Sequence, residues 1–205
     1  MMLTAAEPRG KSLVALFLDG EKAADIDAEV YLGCGLRPGD EIDDERLHEI
    51  ITASDTRRAE RKAMYLLGYR AHSERELARK LGRTVPRETA EKAASRMKEL
   101  GFVNDGEYAR TLAKELFTRK HFAAGRVRLE LMRRGIPSEL AEEAAREAQT
   151  DPRDSLRELV GRKYARCLSD EKDRRRTAAA LQRLGYRWDD IRCILEEFTE
   201  HNAEE

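Results

Sequence analysis

Four times in this chain a helix-favouring stretch runs into glycine followed by a bulky apolar residue: Leu67-Gly68-Tyr69, Leu100-Gly101-Phe102, Arg134-Gly135-Ile136 and Leu184-Gly185-Tyr186. Glycine just past a helix end takes the left-handed conformation that closes the last turn, and the apolar residue behind it folds back on the helix. Each of the four is therefore expected to be a helix stop. The starts are as legible. Ser73-Glu74-Arg75-Glu76 reads as a capping box, Asn104-Asp105 as a cap, and Pro86, Pro137 and Pro152 stand where proline opens a helix. Between these marks the pattern predicts nine helices, over 44–68, 73–82, 86–100, 105–120, 124–134, 137–148, 152–167, 171–184 and 188–200, the first with a break near Thr52 to Asp55. They group in threes, giving units over 43–103, 104–149 and 150–205 with similar middle helices: Ser73 to Leu81, Arg126 to Arg134 and Arg176 to Leu184. A triplet of about 40 residues buries little core alone, so stacking into an elongated, helix-turn-helix-like repeat is expected.

Residues 1–42 follow another period. The first ten, with Pro8 and Gly10, read as a frayed tail. Ser12 to Leu18 is a β-favouring run closed by the Asp19-Gly20 turn signal, and Ala23 to Asp27 is expected to return beside it, making one hairpin. A short helical turn from Ala28 to Leu32 and the loop Arg37-Pro38-Gly39-Asp40 complete this piece. The fold class is thus mainly α, three tandem three-helix units behind a short β-hairpin.

Composition excludes disorder: 40% of the residues are hydrophobic and the formal net charge is only −1. That small total conceals an asymmetry, since residues 1–56 carry a net −8, residues 57–148 a net +8 and residues 149–205 a net −1. The basic surplus is densest over 110–134, where Arg110, Lys114, Arg119, Lys120, Arg126, Arg128, Arg133 and Arg134 face only Glu115 and Glu130. Local positive potential attracts a polyanion whatever the total charge. On a helix Arg126, Glu130, Arg133 and Arg134 share one face while Val127 and Leu131 turn to the core, which predicts a projecting basic ridge. We take Lys114, Arg119, Lys120, Arg126, Arg128, Arg133 and Arg134 as candidate contacts to phosphates or to an acidic protein patch. Arg174, Arg175 and Arg176, near a helix start where the macrodipole disfavours cations, join them. Arg57, Arg58, Arg61 and Lys62 form a weaker cluster of the same kind. Most aromatic side chains, Tyr65, Tyr69, Phe102 and Trp188 included, are expected in the core.

Catalytic, metal and cofactor motifs are not found. His48, His72, His121 and His201 stand apart from one another, and Cys34, Cys167 and Cys193 lack metal-ligand spacing. Free thiols, and no apolar run long enough to span a bilayer, predict a cytoplasmic protein that is not an enzyme.

The stretch from Tyr65 to Leu77, the linker Leu100-Gly101-Phe102-Val103-Asn104-Asp105-Gly106-Glu107-Tyr108-Ala109, the run Phe122 to Ile136, and Arg183-Leu184-Gly185-Tyr186-Arg187-Trp188-Asp189-Asp190-Ile191 together resemble the RecX family. The resemblance covers roughly residues 55–200. It implies a monomeric regulator that binds the RecA recombinase as a filament on single-stranded DNA and inhibits its ATPase, co-protease-type and strand-exchange activities. Weak nonspecific DNA binding and a role in recombination, repair and the SOS response follow from the same likeness. The first unit departs from the pattern, with Lys80-Leu81-Gly82-Arg83-Thr84-Val85-Pro86 in place of the basic-Gly-apolar ending. A reading from another class, a stand-alone helix-turn-helix-like DNA-binding protein, would gather its cations at the start of one recognition helix. Here they are spread over several.

Overall fold

The computed structural model describes residues 1–168 and 170–201, with the side chains of Cys167, Glu200 and His201 outside the description. The chain divides into two compact units, Met1–Asn104 and a second beginning at Asp105.

The first unit opens with strands β1 (Leu3–Arg9), β2 (Leu13–Leu18) and β3 (Glu21–Asp27) in an antiparallel sheet of order β1-β2-β3. The expected frayed tail is instead an edge strand. Pro8 lies opposite Val14 on that edge, a place in a sheet where the missing N–H costs no ladder bond. Long-range pairing secures the strand: Leu3 is fully buried, its N–H donates to the Asp40 carbonyl at 2.9 Å, and the Met1 ammonium donates to the Ile42 carbonyl at 3.0 Å. Neither partner was readable from local pattern.

Asp27 ends β3 and caps α1 (Ala28–Cys34), its carboxylate accepting from the Glu29 N–H at 3.0 Å. Gly35 then stops the helix in the left-handed region, φ +67°. Next comes α2 (Asp44–Tyr69), a single helix without the expected break. The polar residues that suggested one are absorbed: the buried Ser54 hydroxyl accepts from the Asp27 N–H at 2.8 Å, and Thr56 donates back to the Thr52 carbonyl at 2.8 Å. Gly68 also differs from expectation. It lies inside the helix, which ends one residue later with Arg70 extended. A helical glycine costs about 1 kcal/mol relative to alanine, which a helix of this length tolerates.

One face of α2 seals the sheet, with Ile50 joining Leu3, Val14, Leu16, Leu18, Ile26 and Ile42. Further along, Ala59 and Ala63 enter a second core with α3 (Glu74–Leu81) and α4 (Arg87–Glu99), closed by Leu77, Leu81, Ala94 and Met97.

In the second unit, α5 (Asp105–Thr118), α6 (Ala124–Arg133) and α7 (Ser138–Ala148) enclose a core built on Leu112, Leu116, Val127, Leu131 and Ile136. Helices α8 (Pro152–Lys163), α9 (Glu171–Arg183) and α10 (Trp188–His201) enclose another, built on Leu156, Val160, Leu181, Ile191 and Ile194, with one 3-10 turn at Ala165–Cys167. The glycine stops at 101, 135 and 185 have φ of +78°, +88° and +96°. Behind each, the apolar N–H reaches back, Phe102 to Met97, Ile136 to Leu131 and Tyr186 to Leu181, at 2.9, 3.1 and 3.3 Å. Gly185 does more than stop a helix. The Ala123 N–H donates to the Leu184 carbonyl at 2.9 Å, so this corner of the third triplet sits on the start of α6.

Candidate functional site

Helices α5 and α6 carry the densest cations, and their apolar periodicity decides which of them face water. Ala109, Leu112, Ala113 and Leu116 turn α5 inward, leaving Lys114 exposed on its back. The helix ends at Thr118, and Arg119 and Lys120 follow in an exposed turn before His121, which takes φ +51°. On α6 Val127 and Leu131 are fully buried.

The ridge is less uniform than its spacing predicts. Glu130 takes both Arg133 and Arg134 at 3.7 Å, and Arg134 also donates to the Tyr108 hydroxyl at 3.4 Å. Arg119 reaches Glu115 at 3.6 Å. Arg126 does not project. It is half-buried, 5.5 Å over the Phe122 ring, and its Cβ lies 2.8 Å from where a side chain at Gly185 would begin. Among the described residues Lys114, Lys120, Arg126 and Arg128 have no carboxylate partner; with Arg126 packed on Phe122, the exposed Lys114 and Lys120 and the half-buried Arg128 supply the free positive charge of this surface.

At the start of α9 the acids Glu171 and Asp173 occupy the first turn, where they complement the helix dipole. Glu171 pairs with Arg174 and Arg175 at 3.3 and 3.0 Å, and Asp173 with Arg176 at 3.1 Å. Exposed pairs of this kind contribute at most about 1 kcal/mol each.

The arginines of α2 serve the fold. Arg57 grips Glu29 with two nitrogens at 3.0 and 2.6 Å, and Arg61 reaches the buried Asp27 at 2.8 Å, tying α2 to α1 and β3. The Glu29 hydrogen bond holds the Arg57 guanidinium above its ordinary value. Beyond them Lys62 lies 4.7 Å over the Tyr65 ring, and the Tyr65 and Tyr69 rings meet edge to face at 5.0 Å.

Where α2 leads into α3, a polar knot lies beside the apolar core the two helices share. Ser73 caps α3 by accepting from the Glu76 N–H at 3.1 Å. The buried Glu76 carboxylate takes two nitrogens of Arg70 and stands 3.8 Å from Lys80. His72 Nδ1 donates to the Arg70 carbonyl while Nε2 accepts from the Lys80 ammonium, both at 2.8 Å. Burial pushes the Glu76 carboxyl up, but Arg70, with His72 and Lys80 behind it, more than offsets this and holds it below the ordinary carboxylate value. Burial, aided by the Arg70 and Lys80 charges, pushes the His72 imidazole down.

Sequence reasoning missed the exposed aromatics. Tyr65, Tyr69, Phe102 and Trp188 all lie outside the core, Trp188 at 53% exposure. Their positions near helix ends were a usable signal, because rings there are not enclosed by neighbouring turns. It also passed over Arg75 and Arg79, spaced i and i+4 on α3, which line an open groove with Ala78, Gly82 and Arg87. No group of described residues is placed to hold a metal ion, and no described helix is long and apolar enough to cross a membrane.

Tandem helical triplets behind a small antiparallel sheet, with a charged outer face, define a class of mainly helical repeat proteins. Residues 59–97 match the family model for the first three-helix domain of RecX, and residues 104–144 that for the second. The regulatory protein RecX of Trichlorobacter lovleyi is 37% identical over 140 residues, 65% of this chain and 91% of that one. The regulatory protein RecX of Pseudomonas savastanoi pv. phaseolicola is 35% identical over 137 residues, 66% and 88% of the two chains. Among solved structures, a regulatory protein RecX aligns with a TM-score of 0.61 at 18% identity over 95% of this chain and 98% of its own. RecX from Lactobacillus salivarius aligns with a TM-score of 0.55 at 20% identity, over 72% and 98%. The chain belongs to the RecX family of regulatory proteins.

Proposed function

We propose that this protein binds the RecA recombinase filament on single-stranded DNA and inhibits its ATPase, co-protease-type and strand-exchange activities, acting as a cytoplasmic monomer in recombination, repair and the SOS response. Membership of the RecX family is the observation that carries the reading. The uncompensated Lys114, Lys120 and Arg128 give it a physical basis, because a filament coated with nucleic acid presents phosphates that such cations attract. The three triplets are used unequally: the basic residues at 114–134 are the principal contact, with Arg174, Arg175 and Arg176 as a second. Titrating the protein into RecA turning over ATP on single-stranded DNA is expected to lower the rate at micromolar concentration. An unchanged rate, with strand exchange also unaffected, would sink the proposal.

Charge reversal tests the surface. The triple change Lys114→Glu, Lys120→Glu and Arg128→Glu is expected to raise the concentration for half-inhibition roughly tenfold, three surface charge contacts being worth some tenths of a kcal/mol to about 1 kcal/mol each. The helical circular dichroism signal should stay the same, since none of the three holds a fold contact. Undiminished inhibition would leave these cations without a part in it.

A further inference from the structure

The groove between α9 and α10 carries chemistry that helix packing does not use. It encloses about 150 Å³ and is bordered by Glu171, Arg174, Arg175, Ala178, Trp188 and Arg192. Trp188 is the chain's one tryptophan and the first residue of α10. At the corresponding starts of α4 and α7 stand Arg87 and Ser138, so this position in a triplet has no need of a ring. The third core is closed by Tyr186 and Ile191, which leaves 53% of Trp188 in water beside the groove. A tryptophan is the largest apolar side chain, and half of it is not serving the core here.

Three guanidinium groups line the same groove as the ring. Arg174 and Arg175 share the exposed Glu171 at 3.3 and 3.0 Å, and Arg192 stands 4.0 Å from Glu196; exposed pairs have a small net worth, so another anion can compete for these guanidinium groups. The Nε of Arg174 is enclosed and has no acceptor, an unsatisfied donor of a kind folded proteins rarely keep. The first triplet repeats the cationic part. Measured from the buried Leu81 and Leu181, Arg75 and Ala78 occupy the places of Arg175 and Ala178, and the α3–α4 groove is likewise lined by arginines. The lining of the α9–α10 groove adds an aromatic face that the lining of the α3–α4 groove does not have.

We propose that the α9–α10 groove binds single-stranded nucleic acid, one base stacking on Trp188 and its flanking phosphates pairing with Arg174, Arg175 and Arg192. A ring beside guanidinium groups matches an unstacked base beside phosphates, and stacking accepts any base because each has a π face. A duplex offers no free base face. An acidic peptide would engage the arginines and leave the indole idle. The site acts without RecA, so its failure would leave the filament reading standing, and the failure of that reading would leave the site.

The test titrates the full-length protein with an oligothymidylate and follows tryptophan emission, which reports this groove alone. Saturable quenching that salt reverses is expected. Arg175→Glu with Arg192→Glu should weaken the oligonucleotide about tenfold. Trp188→Ala should do the same, read by anisotropy of a labelled strand, whereas Trp188→Phe should retain most of the affinity. Circular dichroism confirms that each variant folds, and Trp188→Phe carries the comparison if Trp188→Ala does not. Three results would each overturn the proposal: emission unmoved while the labelled strand binds or fails to bind, equal quenching by a duplex of the same length or by polyglutamate, or full affinity in the double charge reversal.

Discussion

Replacing Gly185 by alanine is expected to destabilise the protein by about 3 kcal/mol, from left-handed backbone strain of about 1–2 kcal/mol and overpacking of about 1–3 kcal/mol. The residue sits at φ +96°, and an added Cβ would meet the Arg126 Cβ at 2.8 Å, with the Arg126 nitrogen at 3.5 Å and the Ala123 Cβ at 3.6 Å. A Cβ is fixed to the backbone and has no torsion by which to retreat, so α6 or the corner after α9 must shift. Gly101 is the control. It has φ +78° with nothing within 4 Å of its added Cβ, so Gly101→Ala should lose only the backbone part, about 1–2 kcal/mol. Urea unfolding followed by circular dichroism compares the two. Equal losses would mean that the close approach of Arg126 to Gly185 relaxes freely.

Glu76→Gln is expected to lower stability by about 2 kcal/mol at pH 7. Removing one member of a buried pair costs about 3–5 kcal/mol, and the figure is reduced here because Arg70 is 42% exposed and recovers hydration. The same knot makes stability depend on pH. Glu76 and His72 both have values depressed in the fold, so each binds fewer protons folded than unfolded, and stability rises with pH over each interval. The His72 contribution is complete above its ordinary value near 6.5 and is lost as pH falls through the lowered one. The Glu76 contribution is complete above 4.5 and is lost as pH falls further. Protonating His72 Nε2 would also set an N–H against the Lys80 ammonium. Unfolding midpoints measured from pH 8 down to about pH 2.5 should therefore decline, and Glu76→Gln should flatten the part of the decline below pH 4.5. A variant whose midpoints run parallel to those of the parent protein would show that Glu76 does not titrate with folding.

Helix content was legible wherever a signal is local. The stops at Gly101, Gly135 and Gly185, the cap at Ser73 and the inward faces of Leu77, Val127 and Leu131 need only a few neighbouring residues, and those residues were on view. Gly68 failed because the same dipeptide grammar fits a helix interior, and which one forms depends on whether the flanking turns continue. The edge strand β1 failed for a different reason. Pro8 and Gly10 are breakers by composition, and the bonds that secure Leu3 come from residues near position 40.

The candidate site divides along the same line. Sequence alone determined that basic residues gather at 110–134 and at the start of α9, because charge is a property of each residue and counts without coordinates. Only the tertiary structure decided which of them are available. It pairs Arg133 and Arg134 with Glu130, folds Arg126 under Gly185, leaves Lys114, Lys120 and Arg128 uncompensated, and sets Trp188 beside three arginines. Ion pairing and exposure depend on distances of a few ångströms between residues as far apart as Arg126 and Gly185, and a linear pattern does not carry those distances.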